Sequence, residues 1–271
     1  MPELPEVETT VRGLAPVLEG QRIARIVTRR ADLRFPFPRD LGQRLVGARV
    51  TRLGRRAKYG LIGTDRGDTL VFHLGMSGRW RVDPDMLGAH DHLVIEMGSG
   101  HTLALNDPRR FGFVHLHATD DLPAYPPFVA MGPEPLGTGL TADHLLARFE
   151  GRAAPVKALL LDQRVVAGLG NIYVCEALHT ARIAPNRAGG RIALFRLERL
   201  VEAIRTVLEA AIAVGGSSIR DYARPDGELG YFSKQWRVYG REGEACGCGT
   251  IVRRRVEGGR STFWCPACQR G

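Results

Sequence analysis

The sequence predicts an α+β protein in which a β-rich first half is followed by a helical second half and a cysteine-bearing tail. Apolar residues follow helical spacing over residues 4–18. Short runs with partial alternation, broken by Gly, Pro and Asp, cover residues 22–116 and are typical of β-strands. Helical periodicity returns after residue 141, and four of the five cysteines lie within residues 246–268.

The composition is that of an ordinary globular protein, with 44% hydrophobic and 25% charged residues in a chain of 271. Disorder as the main state is therefore excluded. Uncharged stretches such as residues 165–175 are far shorter than the roughly 20 apolar residues of a membrane-spanning helix. Glu3, Glu6 and Glu8 stand where a signal peptide carries basic residues. We therefore expect a cytoplasmic protein that does not associate with membranes.

The charge balance favours a polyanionic partner. Lys and Arg total 38 against 29 Asp and Glu, which gives a net charge of +9. Nucleic acid is the usual polyanion, and a basic protein at a membrane surface is the alternative. Lysine occurs only at Lys58, Lys157 and Lys234, and all other basic residues are arginine. A genome that favours arginine codons explains this bias without any functional cause. The rarity of lysine nevertheless makes each of the three a candidate for an amine with a chemical role.

The first residues combine a possible nucleophile with two acids. Because Pro2 is small, removal of Met1 is expected, and the exposed α-amine then has a pKa near 8, against about 10.4 for lysine. Pro5 suits the first turn of a helix, whose dipole lowers the pKa of that amine further. Glu3 and Glu6 can serve as proton donor and as electrostatic partner of a cationic intermediate. The alternative is a helix start whose acids merely complement the dipole.

The chain divides at a segment of linker composition. Residues 122–139 contain five prolines and three glycines. We therefore predict an N-terminal domain over residues 1–121, a helical domain over 140–240 and a finger over 241–271. Within the helical domain, residues 215–233 form a long loop rich in Gly, Ser and Asp, and loops of this length are more often functional than structural.

A turn between two predicted helices has features of a phosphate-binding site. Residues 162–171 join the helices, and Asn171 is a suitable N-cap. Gly168 and Gly170 allow close approach of the backbone, so that N–H groups at the helix start can cradle a phosphate. Lys157 on the preceding helix supplies a second contact. A plain capped helix is the alternative.

The cysteines of the tail form two close pairs, Cys246-Gly-Cys248 and Cys265-Pro-Ala-Cys268, separated by sixteen residues. Such pairs bind zinc through four thiolates or form disulfides, and a cytoplasmic chain favours zinc. Two short strands between the pairs place Arg260 at the tip of a hairpin. There it contacts phosphate or belongs to a solvated run of charge.

Six blocks in a fixed order, from Pro2 to Cys268, resemble the formamidopyrimidine-DNA glycosylase family. The resemblance implies an N-terminal β-sandwich that begins with a helix, a helical domain with a helix-two-turns-helix motif, and a β-hairpin zinc finger. The blocks are Met-Pro-Glu-Leu-Pro-Glu-Val-Glu-Thr at 1–9, Arg-Ala-Lys-Tyr at 56–59, His-Leu-Gly-Met-Ser-Gly at 73–78, Asp-Pro-Arg-Arg-Phe-Gly at 107–112, Gly-Leu-Gly-Asn-Ile-Tyr at 168–173 and the cysteine finger.

The resemblance also implies a chemistry. The family consists of bifunctional base-excision repair enzymes that remove 8-oxoguanine and formamidopyrimidines from duplex DNA through a Schiff base, then cleave the strand by β,δ-elimination. Its N-terminal proline, which matches Pro2, attacks the sugar C1′. Glu3 matches the general acid, Glu6 a second essential acid, and Lys58 a lysine that binds phosphate near the lesion. We expect a bacterial monomer, associated with the nucleoid when acting, with no small-molecule cofactor.

The remaining site residues are likewise implied by the resemblance. Three side chains fill the hole left by the flipped nucleotide, and a loop covers the flipped base. The expected DNA contacts are His73, Met76, Arg109, Phe111, Lys157, Asn171, Ser218, Tyr222 and Arg260. One structural zinc ion is expected on Cys246, Cys248, Cys265 and Cys268.

One departure from the family concerns the finger, which usually opens with Cys-x-x-Cys. Here only Gly247 separates the first two cysteines, so we expect strain at this glycine rather than loss of a ligand. The sister family, endonuclease VIII, opens Met-Pro-Glu-Gly-Pro-Glu and fills the hole differently, so Leu4 argues against it. A non-enzymatic zinc-finger DNA-binding protein would leave Pro2, Glu3 and Glu6 unexplained.

Overall fold

The computed structural model describes residues 2–217, 225 and 230–270. Ser218 and Tyr222, expected in the loop over the flipped base, lie outside these residues. The chain forms two compact units, Met1–Val129 with Val214–Tyr231, and Ala130–Ala213 with Phe232–Gly271. The first unit thus includes residues 214–231, which the sequence analysis assigned to the helical domain. The domain limits at 1–121, 122–139, 140–240 and 241–271 stay predictions.

The described part of the first unit contains two antiparallel four-stranded sheets, with strand orders β1-β6-β7-β5 and β2-β3-β4-β8. Three helices accompany them. The helices are α1 (Leu4–Leu18), α2 (Leu41–Leu45) and α3 (Pro126–Val129), and the strands are β1 (Ile23–Thr28), β2 (Val50–Arg56), β3 (Tyr59–Thr64), β4 (Asp68–His73), β5 (Arg79–Val82), β6 (Asp91–Met97), β7 (Thr102–Asn106) and β8 (Phe113–Ala118).

Both sheets contribute to one hydrophobic core. Ile62 from one sheet and Leu93 from the other are buried in it, together with Leu14 of α1. Phe72 and Trp80 meet across the sheets edge to face, with ring centroids 5.7 Å apart. Each such buried side chain contributes roughly 1.5–3 kcal/mol. The first unit is therefore the predicted β-sandwich with a helix at its start.

The proline-rich segment after β8 is more ordered than its composition predicts. A 3-10 turn spans Thr119–Ala124, and α3 follows it directly. Tyr125 is buried, and its hydroxyl lies 2.6 Å from Nδ1 of His115. Prolines fit these short elements because the first turn of a helix leaves its N–H groups unpaired.

The second unit is helical and ends in a hairpin. Its elements are α4 (Ala142–Phe149), α5 (Val156–Leu161), α6 (Asn171–Thr180), α7 (Leu194–Ala213), β9 (Arg253–Glu257) and β10 (Arg260–Trp264). Two turns join α5 to α6, the first closed by the N–H of Val165 donating to the carbonyl of Asp162 at 2.9 Å. The second uses a left-handed glycine, Gly168, with φ of +84°. The predicted fold class, with its helix-two-turns-helix and β-hairpin, is confirmed.

Among the described residues, no helix has the length and apolarity that crossing a membrane requires.

Candidate functional site

The start of α1 holds the predicted catalytic acids in a capping box. Pro2, Glu3 and Glu6 are all buried. The side chain of Glu3 accepts the N–H of Glu6, and Oε2 of Glu6 accepts the N–H of Glu3 at 2.8 Å. This reciprocal pair fixes the backbone that carries Pro2.

The second oxygen of Glu6 bonds to a distant segment of the same unit. Oε1 of Glu6 accepts the N–H of Ser217 at 2.7 Å. Gly216 has φ of +79°, and a Cβ placed there would lie 2.9 Å from this oxygen. A glycine is therefore required beside the carboxylate. Glu6 uses both oxygens to hold backbone, which is the geometry of a positioning group.

Lys58 lies in the two-residue turn between β2 and β3. The residue before it, Ala57, has φ of +53°, a strained conformation for a residue with a Cβ. Arg55 supports the turn, since its guanidinium donates to the carbonyl of Ala57 at 2.8 Å and to Glu8 of α1 at 3.0 Å. Lys58 is 7% exposed. The turn thus holds a mostly buried lysine in a fixed place.

His73, at the end of β4, is neutral at physiological pH. The pKa of His73 is lowered to about 4, chiefly by burial, and the charges of Lys58 and Arg34 contribute in the same direction. The backbone N–H of Gly75 donates to Nδ1 at 3.0 Å, so the ring proton is on Nε2. The ring stacks on Phe113 at 5.3 Å. The structure therefore places a neutral N–H donor near Lys58.

The three expected void-filling side chains are carried by two adjacent loops. Met76 lies between β4 and β5, whereas Arg109 and Phe111 lie between β7 and β8. Phe111 is 46% exposed, and the guanidinium carbon of Arg109 lies 4.9 Å from the centre of its ring. A cation over an aromatic face is attracted to it. The structure thus brings together three residues that are up to 35 positions apart in the sequence.

Asn171 does not cap α6, contrary to the sequence analysis. The N-cap is Gly170, and Asn171 is the first helical residue. Its side-chain amide instead donates to the carbonyl of Ser261 in β10 at 2.9 Å. A distant hydrogen bond has therefore replaced the local one that capping statistics favour.

Lys157 of α5 contacts the same hairpin. It is buried, and its ammonium donates to the carbonyl of Ser261 at 3.1 Å and to Oγ1 of Thr262 at 2.7 Å. Burial is the main cause that lowers the pKa of Lys157. Two of its three N–H donors thus hold the hairpin. Arg260 is exposed at the start of β10, directly after the turn at the hairpin tip.

The four cysteines of the tail form a site that fits one zinc ion. Their Sγ atoms all lie within 4.8 Å of one another. Cys248 and Cys265 are 3.5 Å apart, and Cys246 and Cys268 are 4.0 Å apart. Tetrahedral thiolates at about 2.3 Å from zinc are spaced by about 3.8 Å, whereas a disulfide bond is about 2.05 Å long. The donor set is therefore that of a structural zinc site.

The expected strain at Gly247 is not found. Its φ is not positive, and the left-handed glycine of this knuckle is Gly249, with φ of +84°. The N–H of Cys246 donates to the carbonyl of Thr250 at 2.9 Å, which closes the knuckle.

Two supporting residues of the second unit were missed by the sequence analysis. Glu176 of α6 is buried and accepts the N–H groups of residues 237–239 at 2.8–3.0 Å. Burial raises the pKa of Glu176, and these three hydrogen bonds oppose the rise. Nε2 of His179 lies 3.3 Å from Sγ of Cys246. A glutamate within the apolar run of α6 was the available clue to the first.

Comparison with protein families gives three matches in order along the chain. They are the formamidopyrimidine-DNA glycosylase N-terminal domain at residues 1–114, the formamidopyrimidine-DNA glycosylase H2TH domain at 131–223, and the zinc finger found in FPG and IleRS at 248–271. The zinc-finger match begins at Cys248. Cys246 is therefore assigned to the metal site by the distances between the four Sγ atoms.

Individual proteins match over the full chain. Formamidopyrimidine-DNA glycosylases of Rhizorhabdus wittichii and Novosphingobium aromaticivorans are 70% and 68% identical over 270 residues and covered completely. The MutM (Fpg) protein of Thermus thermophilus is 40% identical, with a TM-score of 0.89 and 99% and 98% of the two chains covered. A Lactococcus lactis Fpg mutant complexed with DNA containing Fapy-dG is 33% identical, with a TM-score of 0.90 and both chains covered completely.

Proposed function

This chain belongs to the formamidopyrimidine-DNA glycosylase family, and we propose that it removes 8-oxoguanine and formamidopyrimidines from duplex DNA and then cleaves the strand at the resulting site. The observation that carries the proposal is the capping box, which holds Pro2 beside two buried carboxylates. The relatives named formamidopyrimidine-DNA glycosylase support the glycosylase activity, and the Fpg complexes with damaged DNA support a DNA partner.

The nucleophile is the amine of Pro2 after Met1 has been removed. Its lone pair forms a bond to C1′, and the glycosidic bond breaks with its electron pair leaving on the base, which is protonated. Glu3 supplies a proton to the opening sugar ring, and an iminium ion results. The iminium makes the C2′ proton acidic, so that its removal expels the 3′ phosphate and a second elimination expels the 5′ phosphate. No bound small-molecule cofactor takes part in this scheme.

Glu6 acts in this scheme by holding backbone. Its two oxygens accept the N–H groups of Glu3 and Ser217. The first bond fixes the residue that follows the nucleophile, and the second fixes the base of the loop that we propose to cover the flipped nucleotide through Ser218 and Tyr222. Productive geometry within about 1 Å is worth as much as a hundredfold in rate.

Binding to DNA combines charge near the lesion with a grip from the second unit. Lys58 and the Nε2–H of His73 are the proposed phosphate contacts in the first unit. In the second unit, Arg260 and the start of α6 at Asn171 contact phosphate, and Lys157 supports the hairpin that carries Arg260. The zinc ion stabilises this hairpin, because a hairpin of this size has little core of its own.

Extrusion of the damaged base leaves a hole in the duplex, which Met76, Arg109 and Phe111 fill. An enzyme that acts on a base inside a stack must flip it out, at a cost of a few kcal/mol. Exposed Phe111 is the wedge, and Arg109 reads the orphaned base. We further propose that the enzyme acts as a monomer in the bacterial cytoplasm, near the nucleoid.

The deciding experiment is borohydride trapping on a duplex that carries one 8-oxoguanine. Reduction of the iminium yields a covalent complex between protein and DNA, which is resolved by denaturing electrophoresis. An undamaged duplex is the control and gives no adduct. If the protein binds the damaged duplex but gives neither a covalent adduct nor strand cleavage, it is instead a zinc-finger DNA-binding protein without catalytic activity.

A further inference from the structure

We propose that Ser77 and Asp107 are positioning residues whose hydrogen-bonded pair makes the two void-filling loops a single rigid body. One loop, residues 74–78, carries Met76, and the other, residues 107–112, carries Arg109 and Phe111. The proposal rests on the void-filling role that we have given to these three side chains. In this proposal the buried pair holds the three side chains in fixed positions relative to one another.

The two residues of the pair are buried, one in each loop. Oγ of Ser77 donates to Oδ1 of Asp107 at 2.7 Å, and Ser77 and Asp107 are 2% and 0% exposed. The same Oγ accepts the backbone N–H of Arg109 at 3.2 Å. The hydroxyl of Ser77 thus uses a donor and an acceptor to join its own loop to the other.

Asp107 in turn fixes both ends of its own loop. Oδ2 accepts the N–H of Gly112 at 2.8 Å, and its backbone carbonyl accepts the N–H of Arg110 at 3.2 Å. That carbonyl also lies 3.0 Å from Nε2 of His92 in β6. The carboxylate oxygens therefore close the loop around Asp107, and the backbone carbonyl attaches it to the sheet.

Backbone packing brings the two loops closer than side chains would allow. Gly75 has φ of +62°, and a Cβ at this position would lie 2.3 Å from the carbonyl carbon of Phe111. A Cβ on Gly112 would lie 2.8 Å from the carbonyl oxygen of His73. Arg110, between the two exposed side chains, has φ of +58°. Such a strained residue persists only where its surroundings hold it.

Rigidity of this kind matters for extrusion. A wedge can offset the cost of unstacking only if it does not yield when it enters the duplex. If the two loops moved independently, Met76 would enter the hole out of step with Phe111, and the reacting sugar would be held less well. The pair therefore acts on excision through the three side chains and not by touching DNA.

The test is a double-mutant cycle on a duplex carrying 8-oxoguanine opposite cytosine. Single-turnover excision is measured for wild type, Ser77→Ala, Phe111→Ala and the double variant, with binding to undamaged duplex measured in parallel. Thr64→Val is the matched control, because the buried hydroxyl of Thr64 donates to the carbonyl of Asp68 at 2.8 Å away from both loops. Thermal unfolding of each variant checks the fold.

We expect Ser77→Ala to slow excision by roughly tenfold to a hundredfold in the wild-type background. In the Phe111→Ala background the same change should slow it by less than about threefold, because coupled residues are not additive. Thr64→Val should lower the melting temperature by about as much as Ser77→Ala does, whereas its excision rate should stay within about twofold of the wild-type rate. Non-specific binding should be unchanged throughout.

An equal effect of Ser77→Ala in both backgrounds, or wild-type excision by Ser77→Ala, would overturn the positioning role. If Ser77→Ala does not fold, the same cycle is run with Ser77→Cys, which keeps a weak donor in the buried site and is judged by the same coupling. An inactive wild type that gives no trapped adduct would instead overturn the proposed function.

Discussion

The carboxylate of Glu6 accepts the backbone N–H of Ser217 across 211 positions of sequence, at 2.7 Å. Its other oxygen accepts the N–H of Glu3, three positions earlier, at 2.8 Å. One buried side chain therefore connects the start of α1, which carries the proposed nucleophile, to the first residues of the segment over 215–233. The position of Ser217 and the placement of the proposed nucleophile are consequently not independent.

Replacement of Glu6 by Gln is expected to weaken this connection. A glutamine has one acceptor oxygen, so one of the two N–H groups loses its partner, and a hydrogen bond to a charged group contributes about 1.5–3 kcal/mol. The free energy of unfolding should fall by that amount, and the excision rate should fall with it. Urea unfolding and single-turnover assays measure the two effects.

The matched control is Glu96→Gln, which removes the same charge from a partly exposed ion pair with Arg25 in the same unit. Exposed pairs contribute little, so stability should change by less than about 1 kcal/mol. Equal destabilisation by both substitutions would contradict the role assigned to the two hydrogen bonds of Glu6.

Pro2→Gly, which replaces the secondary α-amine by a primary one, should lower base excision, and Glu3→Gln should abolish it, while both variants largely preserve binding to lesion-containing DNA. Phosphate contacts supply most of the affinity, and neither side chain is proposed to contact phosphate. Excision assays and equilibrium binding at one fixed salt concentration separate the two properties. Mass spectrometry of the active protein should find Pro2 as its first residue, and retention of Met1 in fully active enzyme would refute the mechanism.

Removal of zinc should disorder the finger and weaken DNA binding. Metal binding in small domains supplies much of their folding free energy, and the apparent binding free energy of zinc in zinc-finger peptides is about 10–16 kcal/mol. Chelation is therefore expected to expose amides after about residue 241 to hydrogen exchange. Cys248→Ala should lower the zinc content, whereas Cys175→Ala, at a buried thiol outside the four-cysteine site, should keep one zinc per chain. Fully active protein without zinc would contradict this prediction.

Features set by nearby residues were predictable from the sequence. The helix start at Leu4, the cysteine pairs and the turns at 162–170 all depend on spacing within a few positions, and all were found. Local propensity predicted Asn171 as the N-cap of α6, and this prediction was wrong. Its amide bonds to Ser261, 90 positions away, and no short-range pattern records that contact.

The supporting contacts of the site could not be predicted for the same reason. Ser77 and Asp107 meet only because β4, β5, β7 and β8 bring their loops together, and serine and aspartate are ordinary loop residues in isolation. Glu176 looks like an unfavourable charge in an apolar helix until the backbone of residues 237–239 is folded against it.

The stability of the protein should decrease as the pH falls through the range in which His73 is protonated in the unfolded chain but neutral in the folded one. The pKa of His73 is about 4 in the folded chain against 6.5 in the unfolded chain, because burial disfavours the charged ring. Between these values the unfolded chain binds the extra proton, so this contribution is fully present above about pH 6.5 and is lost towards pH 4, by up to about 1.4 kcal/mol per pH unit.

Comparison with His73→Gln isolates this contribution, since glutamine does not titrate and the other buried histidines are unchanged. Unfolding free energies are measured by urea at about pH 7 and about pH 5. The loss of stability between the two should be smaller in the variant by about 1–2 kcal/mol. An identical loss in both proteins would show that His73 is not held neutral.

The exposed pair Arg109 and Phe111 should separate into two functions when each is replaced by Ala. Phe111→Ala removes the wedge, and because unstacking costs a few kcal/mol, excision from duplex should fall by about tenfold or more while non-specific binding changes little. Arg109→Ala should instead alter the dependence on the opposite base, since a guanidinium can donate hydrogen bonds to that base and a phenyl ring cannot. The guanidinium lies over the ring of Phe111, so its loss also removes a cation–π contact, but that loss is the same for every opposite base.

The measurement is excision of 8-oxoguanine opposite each of the four bases by wild type and both variants. Phe111→Ala should lower all four rates by a common factor, whereas Arg109→Ala should change their ratios. Arg110→Ala is a control of equal charge change in the same loop, at a residue not proposed to read the base. An Arg109→Ala enzyme with the wild-type ratios would overturn the role given to this arginine, because no other consequence of removing it depends on the identity of the orphaned base.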